Sequence, residues 1–445
     1  MVRSKPPPRL SKSRFLAGHQ CHRQLWWRVH EPNAEELAPA AGTELVFAQG
    51  HEVGEEARRR FRGGVLVDLP HTDIAGRVKQ TQALLADGAK VIFEASFLHR
   101  GVFAAVDVLQ RGGRGWQLIE VKSSTGPKPE HYLDVAVQRW VTRGAGVDVQ
   151  RAYVMHLSPE CRYPDLSNLF ARADVTKEVS ALEQEMEDEV EAQLAMLAGR
   201  LPKVAAGTDC EKPYLCPFFD RCHGEVPAHH ISALYSARKK ADAYMSAGVE
   251  SLRDLDEGSV SSEIHKRQIR AAKTNRTIVE PGLRAALAKL RAPLGFLDFE
   301  TVGFAIPRYQ ACKPWTAVAA QASIHVEVEG ELVHHEHLAT GAEDPRPALA
   351  RFVIDGLRGA RTILCWHAQF ELQRLEEIGQ AYPRLAKGIA DVRGRIVDLL
   401  PIVRDHVYHP DFNGSFSLKA VAVVADRRPR SSRPETPDGL RVGAR

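Results

Sequence analysis

The sequence has no apolar run of the roughly 18 residues that a membrane-spanning helix needs, so we expect no membrane partner. Its first residues, MVRSKPPPRLSKS, contain no apolar core, so we expect no secretory signal. The seven cysteines are odd in number and mostly clustered, which is not the pattern of a disulfide framework. We therefore expect reduced thiols and a cytoplasmic chain. A net charge of +4 is too small to indicate a nucleic-acid partner by itself.

The chain is too long for one ordinary domain. Its 445 residues predict two or three domains, and a content of 44% apolar and 26% charged residues is typical of globular proteins. Residues 10–225 and 293–425 mix strand and helix patterns, whereas residues 226–292 have a helical pattern. Residues 426–445 are rich in arginine and proline and are predicted to be disordered. The expected fold class is α/β.

The most informative stretch is a predicted hairpin, GVFAAVDVLQ-RGGRG-WQLIEVKSS, which precedes a predicted helix, PEHYLDVAVQRWVTRG. Glu120 and Lys122 are two positions apart on a strand, so their side chains share a face. If the four residues between Arg111 and Trp116 form the turn, those two residues pair. Asp107 then lies opposite Glu120. Two carboxylates and an ammonium group would share one patch of an apolar sheet.

Such a patch is unfavourable without a compensating charge, because burying unpaired charge costs free energy and neighbouring carboxylates repel each other. A divalent cation, Mg²⁺ or Mn²⁺, removes the repulsion and would acidify a water for attack on phosphorus. Lys122 would orient that water or stabilise the developing charge. The predicted chemistry is phosphodiester hydrolysis. The alternative is a surface hairpin that carries an ordinary Glu–Lys pair.

Asp107 followed by Glu120-Val121-Lys122 resembles the catalytic core of the PD-(D/E)XK nucleases, in particular their RecB-like branch. The resemblance implies a restriction-endonuclease-like fold in residues 10–225, with Asp107 and Glu120 as metal ligands and Lys122 as a catalytic residue. It implies a metal-dependent nuclease that acts on DNA.

Three further residues extend this resemblance. His51, after Gly50, is similar to the branch's first motif, in which a histidine can join the metal. Gln138 is similar to the glutamine of the motif on the following helix, although Thr142 stands where that motif usually has tyrosine. Glu94 could be an extra carboxylate. For His51 and Glu94, an exposed helix residue and a strand-edge glutamate are the alternatives.

Three cysteines recur at six-residue intervals in CEKPYLCPFFDRC, and a fourth stands near the N-terminus. The RecB-like branch includes nucleases in which one cysteine before the core and three after it hold a [4Fe–4S] cluster. That resemblance implies a cluster that joins the two ends of the domain, held by Cys21, Cys210, Cys216 and Cys222. Zinc is the alternative metal, with His223 as a possible substitute ligand. The other cysteines are predicted core residues: Cys161, Cys312 and Cys365.

A second pair of acids, Asp298 and Glu300, lies on one face of the apolar strand LGFLDFETV. This strand and Glu371, at the start of a later helix, resemble the RNase H-like fold of DEDD exonucleases, whose carboxylates hold two metal ions. Asp398 is a plausible extra acid, and Asp438 could fill the final position of that family. The alternative is a strand whose acids are paired with arginines.

The chain as a whole resembles an uncharacterised bacterial family that joins an iron–sulfur RecB-like nuclease domain to an RNase H-like domain. The segments LSKSRFLAGHQC, PYLCPFFDRC, SNLFARADVT and GSFSLKAV carry this resemblance. Residues 226–292 are either a helical linker or similar to a helix-hairpin-helix module, which binds backbone phosphate. We expect a nuclease acting on single-stranded DNA or on ends, in repair, recombination or defence. The alternative is a non-catalytic nucleic-acid-binding protein whose fold is stabilised by an iron–sulfur cluster or by a zinc ion.

Overall fold

The computed structural model describes residues 10–39 and 42–426. Two compact units form. The first takes the residues up to 225 together with Val302–Ala317, and the second takes Val226–Thr301 and the chain from Val318 onward. The predicted disorder of the tail, and Asp438 within it, lie outside the described residues apart from position 426.

The first unit is built on a mixed seven-stranded sheet with the order β2-β3-β4-β5-β6-β7, in which β1 also pairs with β4. Strands β5 and β6 are parallel, and β3, β4 and β5 are successive antiparallel neighbours. Its strands are β1 (Leu10–Ser11), β2 (Val65–Leu66), β3 (Val91–His99), β4 (Val102–Arg111), β5 (Trp116–Lys122), β6 (Val149–Leu157) and β7 (Phe170–Asp174). Its helices are α1 (Lys12–Gln20), α2 (His22–His30), α3 (Thr43–Arg58), α4 (Ile74–Ala86), α5 (Pro129–Gly144), α6 (Thr176–Leu182), α7 (Met186–Ala198) and α8 (Phe219–His223).

Helices cover both faces of this sheet. On one face, Ala136 and Val137 of α5 pack with Leu118 of β5 in the largest apolar cluster. On the other face, Ala57 of α3 packs with Ile119 of β5. Because side chains alternate along a strand, α3 and α5 contact opposite faces of β5. The two predicted hairpin strands and the predicted helix that follows them are confirmed as β4, β5 and α5.

Residues 302–317 were assigned to the third segment from sequence, yet they belong to the first unit. The reason is apolar burial: Ala305 is fully buried with Val53, Leu157 and Leu169, and Ile306 packs beside them. The side-chain amide of Gln49 also donates to the carbonyl oxygen of Gly303 at 3.1 Å and accepts from the amide of Ala305 at 2.6 Å.

The second unit contains a five-stranded sheet with the order β11-β10-β9-β12-β13. Strand β12 is parallel to both β9 and β13. Its strands are β8 (Ile278–Val279), β9 (Leu294–Gly303), β10 (Ala317–Val328), β11 (Glu331–Leu338), β12 (Thr362–Cys365), β13 (Ile396–Asp398) and β14 (Val407–Tyr408). Its helices are α9 (Arg238–Ser246), α10 (Glu263–Thr274), α11 (Gly282–Leu287), α12 (Arg346–Gly356), α13 (Gln369–Ala381), α14 (Ala386–Gly394), α15 (Leu399–His406) and α16 (Leu418–Asp426).

The stretch between the two sheets is more than a linker, because it has an apolar cluster of its own. Ile231, Leu252 and Ile269 are buried together there. The fold class of the described residues is α/β, as predicted. Within 10–39 and 42–426, every helix is too short or too polar to cross a membrane.

Candidate active site

The predicted hairpin register is confirmed. Arg111 pairs with Trp116, and Val108 pairs with Ile119. The observed pairing ends there, and Asp107 and Glu120 follow one position further on, close enough for the charge of Glu120 to raise the pKa of Asp107. The Asp107 carboxylate also accepts a hydrogen bond of 2.7 Å from the amide of Val121.

Glu120 lies at the centre of a buried charge cluster, with only 2% of its surface exposed. Lys122 donates to its Oε1 at 2.7 Å, and Gln138 of α5 donates to its Oε2 at 2.8 Å. The structure therefore brings together four of the predicted residues: Asp107, Glu120, Lys122 and Gln138.

Two further members of the cluster were not predicted from the sequence. Lys12, the first residue of α1, lies 2.9 Å from Glu120 and 3.1 Å from Asp134 of α5. Asp134 also accepts from Lys122 at 2.5 Å. Asp134 could have been found, because it lies four positions before Gln138 on one face of α5. No local pattern marks Lys12, which is 108 positions from Glu120.

The carboxyl groups of the cluster have different pKa values, because they have different neighbours. Burial alone would raise the pKa of Glu120, but the ammonium groups of Lys12 and Lys122 outweigh it and hold that pKa well below its usual range. Burial and the charge of Glu120 raise the pKa of Asp107 well above its usual value. The same two causes raise the pKa of Asp134. Asp107 and Asp134, unlike Glu120, are thus under-compensated even with two lysines in the cluster.

This electrostatic shortfall fits a cation. Asp107 and Glu120 are the carboxylates that would hold Mg²⁺ or Mn²⁺, since paired carboxylates are the protein ligands these ions prefer. Within the described ranges, no three His, Cys, Asp or Glu side chains already stand in metal-binding geometry. In the structure, the ammonium group of Lys12 provides positive charge to Glu120 instead.

Three other residues named from the resemblance make no hydrogen bond to Glu120 among the described residues, and one of them, Glu94, lies near the cluster. His51 is exposed on α3, the helix that packs on the sheet face opposite Glu120. Glu94 pairs with the buried Arg77 at 3.2 Å and adds to the negative charge near Asp107. Thr142 is buried and donates to the carbonyl oxygen of Gln138 at 2.8 Å, so its hydroxyl is bound within α5.

A large cleft opens beside the cluster. Its volume is about 1410 Å³, and Lys122 and Asp134 form part of its wall. The cysteine loop contributes Tyr214 and Leu215, and Trp315 of the 302–317 segment forms another part of the wall. The charge cluster therefore has access to a space larger than the roughly 300–1,000 Å³ of a typical small-molecule site.

The four predicted cysteine ligands are neighbours. Burial raises the pKa of the Cys216 thiol, and the charges of the other three cysteines, Cys21, Cys210 and Cys222, raise it further. Such mutual repulsion between thiolates is what a bound metal cluster relieves. Four thiols are the donor set of a [4Fe–4S] cluster or of a zinc site, and among the described residues these four are neighbours without standing in metal-binding geometry. The other three cysteines are buried, as predicted: Cys161, Cys312 and Cys365.

The loop that carries three of these cysteines is fastened to the N-terminal helices. Gln20 donates to the carbonyl oxygens of Asp209 and Tyr214, each at 2.8 Å. Trp27 packs against Phe218 with ring centroids 4.9 Å apart. Because Cys21 directly follows α1, these contacts bring Cys21 to the loop that carries the other three cysteines.

The second unit holds a separate group of acids. Asp298 and Glu300 are exposed on β9, while Leu297 and Phe299 point into the core. Burial raises the pKa of Glu371 to about 7, and the charges of Asp298 and Asp398 contribute. Glu371 is only 3% exposed, and its Oε2 has no hydrogen-bond partner among the described residues. A buried carboxylate oxygen of this kind fits a cation ligand.

Two comparisons with known proteins gave matches. Residues 295–417, which include the second acid group, match DUF2779, a domain of unknown function. The chain is also similar to a solved structure described as "Crystal structure of SSO0001", with 12% sequence identity and a TM-score of 0.25. The similarity covers 51% of this chain and 91% of that one. No curated protein matches the chain.

Proposed function

We propose that the chain is a metal-dependent nuclease that hydrolyses phosphodiester bonds in DNA through a RecB-like PD-(D/E)XK site in its first unit. The observation that carries the proposal is the cluster of Asp107, Glu120 and Lys122, with Gln138 bound to Glu120. A sheet that buries these charges beside an open cleft has the parts that the reaction needs: acids for a cation and an ammonium group for the phosphate.

The roles follow from the contacts. Mg²⁺ or Mn²⁺, when bound, would lower the pKa of a water and neutralise charge on the phosphate. Asp107 and Glu120 would hold the ion, and Gln138 fixes the orientation of Glu120 through its 2.8 Å hydrogen bond. Lys122 extends from the same strand and would stabilise negative charge on the reacting phosphate or orient the water. It stays charged, because Glu120 and Asp134 raise its pKa against the effect of burial.

A [4Fe–4S] cluster is the cofactor that we propose for the four cysteines, as a structural staple. In the second unit, we propose an RNase H-like exonuclease module with Mg²⁺ or Mn²⁺. Its support is the strand order 11-10-9-12-13 and the shared electrostatic site of Asp298, Glu371 and Asp398. Glu300, on the same strand face as Asp298, completes the set of acids.

A second candidate function is non-catalytic nucleic-acid binding. The observation that favours it is Lys12, whose ammonium group already contacts Glu120 and Asp134. If Lys12 stays in that position, its ammonium group keeps Oε1 of Glu120, one of the two acids proposed to hold the ion.

One assay separates the candidates. Labelled single- and double-stranded DNA would be incubated with Mn²⁺ and the wild type, Asp107→Ala, Lys122→Ala or Asp298→Ala. The nuclease proposal predicts cleavage by the wild type and loss of it, with retained binding, in Asp107→Ala and Lys122→Ala. Cleavage that persists in these two variants but is lost in Asp298→Ala assigns the activity to the second unit. Binding without any cleavage by the wild type supports the non-catalytic candidate and overturns the nuclease.

A further inference from the structure

Trp315 reaches the first active site from a distant part of the chain. Its indole Nε1 donates a 2.5 Å hydrogen bond to the carbonyl oxygen of Ser123, the residue after Lys122, although the two are 192 positions apart. The side chain remains 36% exposed and lines the cleft. The ring is therefore held by one edge and still open to a ligand.

The backbone at Trp315 is in an uncommon conformation. Its φ of +61° lies in the left-handed region, where a bulky side chain is rarely found. Such a conformation is unfavourable for a bulky residue and persists only where the surroundings impose it. Here the amide of Trp315 donates to the carbonyl oxygen of Phe304 at 2.8 Å. The segment thus gives up stability to place this ring beside Ser123.

The cleft wall has the composition of a single-strand-binding surface. Three aromatic side chains, Phe47, Tyr214 and Trp315, line it and are each more than a third exposed. Arg28 and Lys128 stand on the same wall with Lys122. Aromatic rings that stack bases, interleaved with positive charge for the backbone, are how proteins hold single-stranded nucleic acid. A duplex offers no base faces to such rings.

We propose that Trp315 is a stacking residue that holds a base of single-stranded nucleic acid in the cleft, with the adjoining phosphate at Lys122. This inference rests on the proposed function for the choice of nucleic acid as ligand. It adds a binding residue from the 302–317 segment, and it makes Trp315 a positioning residue for the strand to be cut.

The test measures binding without cleavage, with a chelator present. Fluorescence anisotropy would compare a labelled single strand, the matching duplex and a strand of abasic residues. Trp315→Ala should weaken single-strand binding about 10-fold or more, because stacking contributes about 1–3 kcal/mol per base. Trp315→Phe should keep most of the affinity. The control Leu98→Ala removes an apolar side chain of similar exposure, 38%, from the same unit.

The proposal is overturned if Trp315→Ala binds the single strand as tightly as the wild type does. It is also overturned if the substitution weakens binding of the abasic strand as much as binding of the strand with bases. If Trp315→Ala unfolds, Trp315→Leu takes its place, because leucine keeps an apolar side chain but has no ring: the proposal predicts weaker binding of the base-containing strand and unchanged binding of the abasic strand, and unchanged binding of both strands overturns it. A wild type that binds no single strand also overturns it and points to another class of partner. The nuclease proposal fails independently, by absence of Mn²⁺-dependent cleavage in a protein whose Trp315-dependent binding is intact.

Discussion

The ammonium group of Lys12 lies 2.9 Å from the carboxylate of Glu120. It joins the first turn of α1 to the middle of the sheet and supplies the charge that a cation would bring. Burial alone would lower the pKa of Lys12, but Glu120 and Asp134 outweigh it and raise that pKa, so the group stays charged. Lys12 and a divalent ion held by Asp107 and Glu120 would therefore compete for Glu120.

We expect Lys12→Met to destabilise the metal-free protein by about 2 kcal/mol. This is less than the roughly 3–5 kcal/mol for breaking a fully buried pair, because Lys122 still compensates Glu120. Saturating Mn²⁺ should stabilise the variant more than the wild type, since the competing ammonium group is gone. Denaturant unfolding with and without Mn²⁺ measures both effects. The control, Lys79→Met at an exposed position of α4, should change little. Equal Mn²⁺ stabilisation of Lys12→Met and wild type would show that Lys12 and the ion do not compete.

The cysteine proposal predicts a cofactor that depends on four residues. After anaerobic purification, the wild type should show broad visible absorption and contain iron and sulfide. Alanine at any one of the four positions should lower the bound iron: Cys21, Cys210, Cys216 and Cys222. Cys161→Ala, at a buried cysteine of the same unit, should keep it. A colourless wild type with stoichiometric zinc identifies the alternative metal, and a protein with neither metal rules out the staple.

The raised pKa of Glu371 in the second unit predicts a pH-dependent difference in stability between the wild type and Glu371→Gln. Its folded pKa of about 7 lies above the ordinary value of 4.5, so the unfolded chain releases this proton first as the pH rises. The contribution of Glu371 to stability is thus full below 4.5 and falls as the pH passes through 7. Glu371→Gln should be more stable than the wild type by about 2 kcal/mol at about pH 8, and the gap should close near pH 4.5.

Urea unfolding across this pH range measures the difference in free energy of unfolding between Glu371→Gln and the wild type. Glu336→Gln, on exposed β11, is the control. Added Mn²⁺ should reverse the order at high pH, because the wild type keeps the carboxylate that binds the ion. A gap that does not change with pH would mean that Glu371 ionises as an ordinary glutamate and is not a destabilised ligand.

Two substitutions on different contacts test which side chains hold residues 302–317 in place. Gln49→Ala removes two hydrogen bonds of a buried amide, to Gly303 and Ala305, and should cost about 2 kcal/mol. Arg308→Ala removes an exposed ion pair with Glu52 and should cost well under about 1 kcal/mol. Exchange of backbone amide hydrogens within residues 302–317 should become faster in Gln49→Ala but not in Arg308→Ala. Equal protection in the two variants would place the anchor elsewhere.

Prediction from sequence succeeded where the determinants are local. The turn after Arg111 sets the pairing of the hairpin, and the two-residue period of a strand then places Glu120 beside Lys122. The side chains of Lys12 and Trp315 reach the site across 108 and 192 positions, and no periodicity encodes such contacts. The proximity of Cys21 to the later cysteines came from family resemblance, since spacing alone does not indicate it.

The assignment of residues 302–317 to the first unit has a genetic consequence. The chain passes from one unit to the other after residues 225, 301 and 317, so neither unit is encoded by a contiguous stretch of the gene. A fragment that stops at codon 225 omits Ala305, which fills the apolar cluster around Val53, and it also omits Trp315. Recombination that exchanged one half for a foreign module would leave that cluster open, so the two units are constrained to be inherited together.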